Sequence, residues 1–366
     1  MNAFKLKKTI RSYIRDVDMV LIFSVVILCI AGIINMFGID GGGSLFRKQI
    51  ILVIIGFTIM ILFSFLNYRY LKNYSFPVLV LYVFSLVLLG FTFYSQSVRG
   101  TNSWLILGNF TFEPAELTKL CLIILMAKYF SQKHVYIYQF KYLIASGLYF
   151  IIPAALIINQ PDLGSAIILS LIWGSLLVAA GINKKHLLTL CLVAAVIVSS
   201  AWLLVLKPYQ KERVISFLNQ EGDPLGSGYN LIQSKIAIGS GSWFGNGLGN
   251  GSQATLGFLP EPHNDFILAS FTEQFGFVGI VLLLGVMLLL VYRILSIGLG
   301  AGFNFGKLFS VGMAVFIFSH VFISAGVNIG IMPVTGLPLP FLSSGGSNLV
   351  SVMAGLGILQ SIKRYG

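Results

Sequence analysis

The sequence predicts an all-α polytopic membrane protein with about ten transmembrane helices and one long extracellular loop. Of its 366 residues 57% are hydrophobic and only 10% are charged, and the mean hydropathy is +0.89. A soluble domain carries charge on about a quarter of its residues, so this composition excludes a soluble globular protein. Apolar runs long enough to cross about 30 Å of hydrocarbon recur along the chain. We expect spans near residues 19–37, 48–66, 76–95, 115–131, 142–159, 163–181, 186–206, 265–292, 307–331 and 344–362.

The basic residues predict how these spans are oriented. Sixteen of the 24 Lys and Arg residues fall at alternate ends of the spans, and short cytoplasmic loops hold such residues. Both termini are therefore predicted to be cytoplasmic, including a basic segment 1–18, and loop 207–264 between spans 7 and 8 to be extracellular. The net charge of +12 reflects this topology, so we expect no nucleic-acid partner. The whole chain 1–366 is predicted to form a single integral membrane domain.

The outer turn before the second span ends in two cations, Arg47 and Lys48. Cations at a helix start oppose the helix dipole at a cost of a few tenths of a kcal/mol unless an anion binds them. They are candidates to bind an anionic substrate, and snorkelling to lipid phosphates explains them equally well.

A polar, turn-rich loop that includes Arg99 leads into the fourth span. Pro114 suits the first turn of a helix, so Glu113, Glu116 and Lys119 follow at three-residue steps along one face. Glu116 and Lys119 can therefore pair. Ionisable side chains inside a span usually face a polar cavity, which favours a functional role over a purely structural pair.

Two further segments of the outer side carry polar candidates. Asp162 precedes the sixth span, where helix capping and substrate binding are both open interpretations. The long loop includes Gln233 and a glycine-rich run, residues 239–251. No strand precedes that run, so it does not match a nucleotide-binding fingerprint and predicts a compact loop folded back over the outer surface.

The stretch from Leu259 to Gly276 brings His263, Asp265 and Glu273 to the mouth of the eighth span. Two prolines precede Asn264, so we expect the helix to begin near Asn264 or Asp265 and the whole 265–292 run to tilt. Asp265 is then either a helix cap or a functional carboxylate, and the local sequence does not decide between these two roles.

The segment 332–348 before the tenth span contains three prolines and ends near Ser343 and Ser344. Irregular backbone at membrane depth is tolerated only where it lines a cavity or is buried in protein. We therefore expect a re-entrant wall on the same side as Asp265. The three cysteines all lie in apolar runs and indicate neither a disulfide framework nor a metal site.

Together these motifs resemble the SEDS family of shape, elongation, division and sporulation proteins (RodA, FtsW, SpoVE), most closely its RodA branch. The resemblance covers nearly the whole chain. Glu113, Ala115 and Ser344 depart from the family's usual residues, which affects the subfamily more than the activity. The motifs that carry the resemblance are Phe46-Arg47-Lys48-Gln49, Arg99-Gly100, Pro114 with Glu116 and Lys119, Gln160-Pro161-Asp162-Leu163-Gly164, Gln233-Ser234, Leu259-Pro260-Glu261 with His263 and Asp265-Phe266, Glu273, and Thr335-Gly336-Leu337-Pro338-Leu339-Pro340-Phe341.

The resemblance implies a peptidoglycan glycosyltransferase that joins lipid II, a disaccharide peptide on undecaprenyl diphosphate, into glycan strands on the outer face of a bacterial plasma membrane. It makes Asp265 the catalytic residue and general base. It also implies a class B penicillin-binding protein, a transpeptidase, as partner, beside membrane lipids. No cofactor is evident, and a divalent cation stays unassigned. The implied substrate-binding residues are Arg47, Lys48, Arg99, Glu116, Lys119, Asp162, Gln233, His263, Glu273, Ser343 and Ser344.

Two other classes of function stay open at this point. A flippase for lipid-linked precursors would also need a polar cavity, but we expect its charges to reach the cytoplasmic half of the spans. A non-catalytic scaffold of a cell-wall complex would tolerate loss of the Asp265 carboxylate. The sequence does not separate roles in elongation, division and spore formation.

Overall fold

The computed structural model describes residues 16–95, 102–108, 110–133, 140–204 and 228–366, so Arg99, segment 1–15 and residues 207–227 of the long loop lie outside it. The described chain is an α-helical bundle with a small hairpin on one end. The hairpin strands β1 (Leu105–Leu107) and β2 (Phe110–Phe112) are antiparallel. The helices are α1 (Met19–Asp40), α2 (Ser44–Phe65), α3 (Arg69–Asn73), α4 (Ser75–Phe91, followed by a 3-10 turn Thr92–Tyr94), α5 (Pro114–Lys133), α6 (Phe140–Asn159), α7 (Leu163–Ala179), α8 (Lys184–Leu204), α9 (Tyr229–Ser240), α10 (Ser252–Thr255), α11 (Ile267–Gly300), α12 (Asn304–Ile329) and α13 (Gly346–Tyr365).

Six of the described helices, α1, α2, α4, α6, α11 and α12, are long and apolar enough to cross a membrane. The predicted multi-pass α-helical class is confirmed, whereas the count of ten crossings stays a prediction. The expected fourth and tenth spans fall on α5 and α13, whose residues are buried almost all round. Because these two helices are enclosed by others rather than by lipid, they can carry the polar side chains of a site.

The central helix α13 packs along α2, while α12 contacts α5, α7 and α11. Close approach of α13 to α2 depends on Gly357, where a Cβ would lie 2.5 Å from the Met60 carbonyl oxygen. Small residues allow such backbone contact between membrane helices, which have little hydrophobic drive to associate. The bundle thus brings α2, α5, α12 and α13 together around one interior.

Helix α11 is broken at Gly276, which has φ 69° and ψ −170°, so the 265–292 run is kinked. Its expected tilt in the membrane stays a prediction. Residues 241–258 pack into the break. The Phe277 and Val278 amides donate to the carbonyls of Ser242 and Trp243. A side chain at Gly276 would collide with the backbone of that segment. The glycine-rich run therefore folds back over the bundle as predicted, and it satisfies backbone groups that the kink releases.

At the opposite end of the bundle the buried Asp18 carboxylate joins three helices. It accepts from the Leu21 amide as the N-cap of α1 and from Arg293 of α11 and Lys363 of α13, with an Arg293 Nη2–Oδ2 distance of 2.7 Å. Burial alone would raise the pKa of Asp18, but these hydrogen bonds outweigh it and lower the pKa to about 2. Clustering of cations here agrees with the predicted sorting of basic residues, and the side of the membrane that this end faces stays a prediction.

Candidate active site

Glu116 and Lys119 form an ion pair inside the bundle. Pro114 is the first residue of α5, so the two side chains project from the same face one turn further along. Lys119 Nζ lies 2.7 Å from Glu116 Oε1, and both side chains are fully buried. The pairing predicted from their spacing is confirmed.

Two residues that the sequence reasoning missed, His320 of α12 and Asn348 of α13, complete this cluster. Asn348 Nδ2 donates to Glu116 Oε2 at 2.9 Å, and His320 Nε2 lies 3.4 Å from Lys119 Nζ. His320 is one of four histidines and stands in an apolar run, so the rule for ionisable residues within spans could have found it. No comparable signal marks Asn348.

The irregular segment 332–345 forms a wall of the cluster, as predicted. His320 Nδ1 lies 3.0 Å from the Pro338 carbonyl oxygen, and Gln49 Nε2 of α2 donates to the Phe341 carbonyl at 3.1 Å. Phe341 itself has a positive φ of 69°. Side chains of two helices therefore hold this non-helical backbone in place.

The same segment binds the turn that carries Asp265. Ser343 Oγ donates to the Asn264 carbonyl at 3.0 Å, the Ser344 amide donates to the His263 carbonyl at 3.1 Å, and the Ser344 hydroxyl donates to the Asn264 side chain. The predicted neighbourhood of the two irregular stretches is thus present. Ser343 and Ser344 act on backbone next to Asp265.

Asp265 lies half-buried in the turn before α11, which begins at Ile267 rather than at Asn264 or Asp265. Asn328 of α12 explains why the helix begins later than expected. Its Oδ1 accepts from the Ala269 amide at 2.9 Å in the first turn, and its Nδ2 donates to the Asp265 carbonyl at 2.9 Å. The Ala269 amide is thus capped by another helix, and Asn328 fixes the Asp265 backbone at the same time.

Glu113 connects these groups electrostatically. Burial raises the pKa of the Glu113 carboxyl well above its ordinary value, the Glu116 and Asp162 carboxylates raise it further, Lys119 opposes them, and Asp265 adds to the rise. These surroundings therefore disfavour the charged form of the Glu113 carboxyl.

The carboxylates of Asp162 and Glu273 are engaged by backbone amides. Asp162 caps α7 by accepting from the Ser165 amide at 3.0 Å, so the capping interpretation is confirmed. The buried Glu273 accepts from the amides of Gln253 and Ala254 at 2.7 and 3.1 Å. Glu273 therefore anchors segment 241–258 to the kinked helix.

The remaining predicted residues that the structure describes are at least partly exposed. Arg47 is exposed and Lys48 half-buried in the first turn of α2, where the Asp40 carboxylate accepts from the Leu45 amide at 2.7 Å and offsets their conflict with the helix dipole. Gln233 is half-buried on α9. His263 Nε2 lies 3.5 Å from a Glu261 carboxylate oxygen.

Comparison with known proteins decides the family. The sequence model of the FtsW/RodA/SpoVE family, described as "Cell cycle protein", matches residues 11–366. The chain belongs to this family. It is 38% identical over 267 residues to the peptidoglycan glycosyltransferase MrdB of Escherichia coli K12, covering 73% of this chain and 72% of MrdB. It is 35% identical over 320 residues to stage V sporulation protein E of Bacillus subtilis, covering 87% of each.

Solved structures of FtsW/RodA/SpoVE relatives have the same fold. A chain from a structure of a peptidoglycan synthase complex matches with a TM-score of 0.80 at 32% identity, over 95% of this chain and 98% of that one. The rod shape determining protein RodA of Thermus thermophilus matches with a TM-score of 0.69 at 28% identity, over 95% and 97%. The resemblance expected from the motifs is confirmed along the chain.

Proposed function

We infer that this protein is a peptidoglycan glycosyltransferase and propose that it polymerises lipid II at the site around Asp265. The observation that carries the proposal is the joint placement of Asp265 and the buried Glu116–Lys119 pair, linked by the irregular segment 332–345. A carboxylate and an ammonium in one site are the two groups that transfer from a diphosphate donor requires. Family membership supplies the reaction class, since relatives are named peptidoglycan glycosyltransferases.

In the proposed reaction Asp265 acts as general base. Its carboxylate takes the proton of the acceptor sugar hydroxyl while that oxygen forms a bond to the donor anomeric carbon. The bond from this carbon to the diphosphate oxygen breaks, with inversion, and undecaprenyl diphosphate leaves with the electron pair. Because diphosphate is a good leaving group, one base suffices, and the paired carboxylates of glycosidases are unnecessary.

Lys119 is proposed to stabilise the negative charge that develops on the leaving diphosphate. Arg47, Lys48 and Arg99 are proposed to hold the diphosphate from the outer approach. Glu116, Asp162, Gln233, His263, Glu273, Ser343 and Ser344 complete the proposed substrate-binding set. Within the described ranges we find no group of three metal-ligating side chains, and a divalent cation stays unassigned.

The decisive experiment compares wild-type protein with Asp265→Asn in a polymerisation assay on labelled lipid II. Loss of a general base typically costs 10²–10⁴-fold, so the variant should make almost no glycan. Its folding should be unchanged, because Asn keeps the size and one side-chain oxygen of Asp, and Asn328 caps the Ala269 amide. Asp40→Asn is the matched control: it removes an outer carboxylate and retains a capping oxygen.

The alternatives give different results in the same preparation. A folded Asp265→Asn protein with the wild-type rate of glycan synthesis would contradict the base assignment. Wild-type protein that only moves labelled lipid II across vesicles would be a flippase. Protein that does neither, yet still recruits other cell-wall enzymes, would be a scaffold.

A class B penicillin-binding protein is the proposed partner, because the matching synthase complex is described as coordinating polymerisation and crosslinking. We propose the bacterial plasma membrane as the location, with both termini cytoplasmic. Co-purification of a single-span transpeptidase with the tagged chain tests the partner. Recovery of the tagged chain without any transpeptidase would contradict it.

A further inference from the structure

His320 connects the proposed diphosphate-binding lysine to the irregular wall of the site. It is fully buried, and its two ring nitrogens point to different groups. Nδ1 lies 3.0 Å from the Pro338 carbonyl oxygen, and Nε2 lies 3.4 Å from Lys119 Nζ. A core histidine placed only for packing does not require both contacts.

The two contacts define the tautomer of His320. A carbonyl oxygen can only accept, so Nδ1 carries the hydrogen and donates to Pro338. Lys119 Nζ and Asn348 Nδ2, each 3.4 Å from Nε2, can only donate, and the Glu116 oxygen at 3.6 Å lies beyond hydrogen-bond distance, so Nε2 must offer a lone pair. The imidazole is therefore neutral, with its donor toward segment 332–345 and its acceptor toward the ammonium.

A neutral acceptor has a particular consequence for Lys119. The ammonium has three hydrogens, and within the described structure one points to Glu116 Oε1 and another to His320 Nε2. A second carboxylate in place of His320 would orient the ammonium equally well but would give the cluster a net negative charge, which repels an anion. The imidazole orients Lys119 and leaves its remaining hydrogen and attraction for an anion intact.

We propose that His320 is a positioning residue. Its contact with Lys119 holds the ammonium in the orientation that binds the substrate diphosphate, and its hydrogen bond to the Pro338 carbonyl couples that orientation to the position of segment 332–345. The proposal rests on the proposed function, because it assumes that Lys119 binds the diphosphate. His320 itself does not contact the reacting atoms.

Three substitutions separate the two hydrogen bonds. In His320→Gln the amide reaches the place of Nε2 and keeps an acceptor for Lys119. In His320→Asn the shorter amide occupies the place of Nδ1 and keeps the donor to Pro338. His320→Leu retains bulk and loses both. Ser319→Ala is the control on the same helix, because within the described residues the Ser319 hydroxyl donates to carbonyls of α12 itself, those of Val315 and Phe316.

The measurements are melting temperature, kcat and KM for lipid II, and the Kd of undecaprenyl diphosphate. Loss of a hydrogen bond to a charged group corresponds to roughly a 10- to 150-fold change. We expect His320→Asn and His320→Leu to raise KM and Kd by about that factor. His320→Gln loses the donor to the Pro338 carbonyl and should raise KM and Kd by a smaller factor, whereas Ser319→Ala should stay within about threefold of wild type.

The outcomes are distinguishable. Equal affinity in His320→Gln and His320→Asn, or wild-type affinity in a folded His320→Leu protein, would overturn the proposal. If His320→Leu fails to fold, the comparison of the Gln and Asn variants still decides, since each retains one hydrogen bond. If wild-type protein makes no glycan, the proposed function fails, while the Kd series still tests His320.

Discussion

Changing Glu116 and Lys119 singly and together separates the stability of the buried pair from its proposed role with substrate. Lys119→Met keeps the length of the side chain but leaves a carboxylate that is fully buried, to which Asn348 still donates within the described structure. Glu116→Gln leaves a buried ammonium. Removing one partner of a buried pair costs about 3–5 kcal/mol, because the other charge is left uncompensated.

The double variant Glu116→Gln with Lys119→Met buries no charge at this position. Replacing a whole buried pair by neutral groups of similar volume is often close to neutral in stability. We therefore expect the double variant to recover most of the lost stability. With single costs of at least about 3 kcal/mol each and a double cost of about 1 kcal/mol, the coupling energy is about 5 kcal/mol or more. Activity should not recover, since the ammonium proposed to bind the diphosphate is still absent.

Thermal unfolding in detergent and glycan synthesis from labelled lipid II measure the two effects on the same samples. Lys119→Met, Glu116→Gln and the double variant should all polymerise poorly, and only the double variant should melt near the wild-type temperature. A double variant that regains both properties would refute the role of Lys119 with diphosphate and leave a structural pair. A single variant as stable as wild type would refute the assignment of a buried ionised pair.

Three further predictions concern the Asp18 cluster, Asn328 and the topology. The pKa of Asp18 is about 2 in the folded protein, below its ordinary value of 3.8. Its charged form therefore stabilises the fold by about 1–2 kcal/mol, after allowance for the partly exposed partners. This stabilisation is present above pH 4 and is lost as the pH falls toward 2. Asp18→Asn should weaken this pH dependence of the melting temperature, and an unchanged profile would contradict it. Asn328→Leu removes the donor to the Asp265 carbonyl and should lower kcat more than Ser234→Ala, which removes a hydrogen bond to the Asn328 carbonyl. Equal kcat values in the two variants would argue against the role of Asn328 in fixing the Asp265 backbone. Reporter fusions at 182–186 should be cytoplasmic and those at 207–262 external, and an external result at 182–186 would exclude the ten-span topology.

The helical class and the Glu116–Lys119 contact were predictable because both depend on local sequence. Apolar runs set the span positions, and a three-residue step on one helix sets the pairing. The break at Gly276 was not predictable in this way. Its φ of 69° is compatible with glycine, but the kink also requires segment 241–258 to bond the released amides, and that contact is tertiary.

The residues that the sequence reasoning missed share a physical cause. His320 and Asn348 lie 201 and 232 residues from the α5 side chains that they contact, so no spacing rule relates them. The start of α11 at Ile267 was missed for the same reason, because it depends on a contact with a residue distant in sequence. A cap normally comes from the residue before the helix, whereas here Asn328 of another helix supplies the acceptor, so local capping rules place the start too early.

The site is built from backbone that has left helical geometry, and side chains from neighbouring helices bind its carbonyl groups. Asn328 donates to the Asp265 carbonyl and Gln49 to the Phe341 carbonyl, while the hydrogen on His320 Nδ1 faces the Pro338 carbonyl. In a low-dielectric interior an unbonded carbonyl is costly, so each donor holds its segment in one position. The groups proposed to react are thereby oriented by residues that have no proposed chemical role themselves. Loss of one such donor should loosen the geometry of catalysis while every charged group proposed for the reaction is still present.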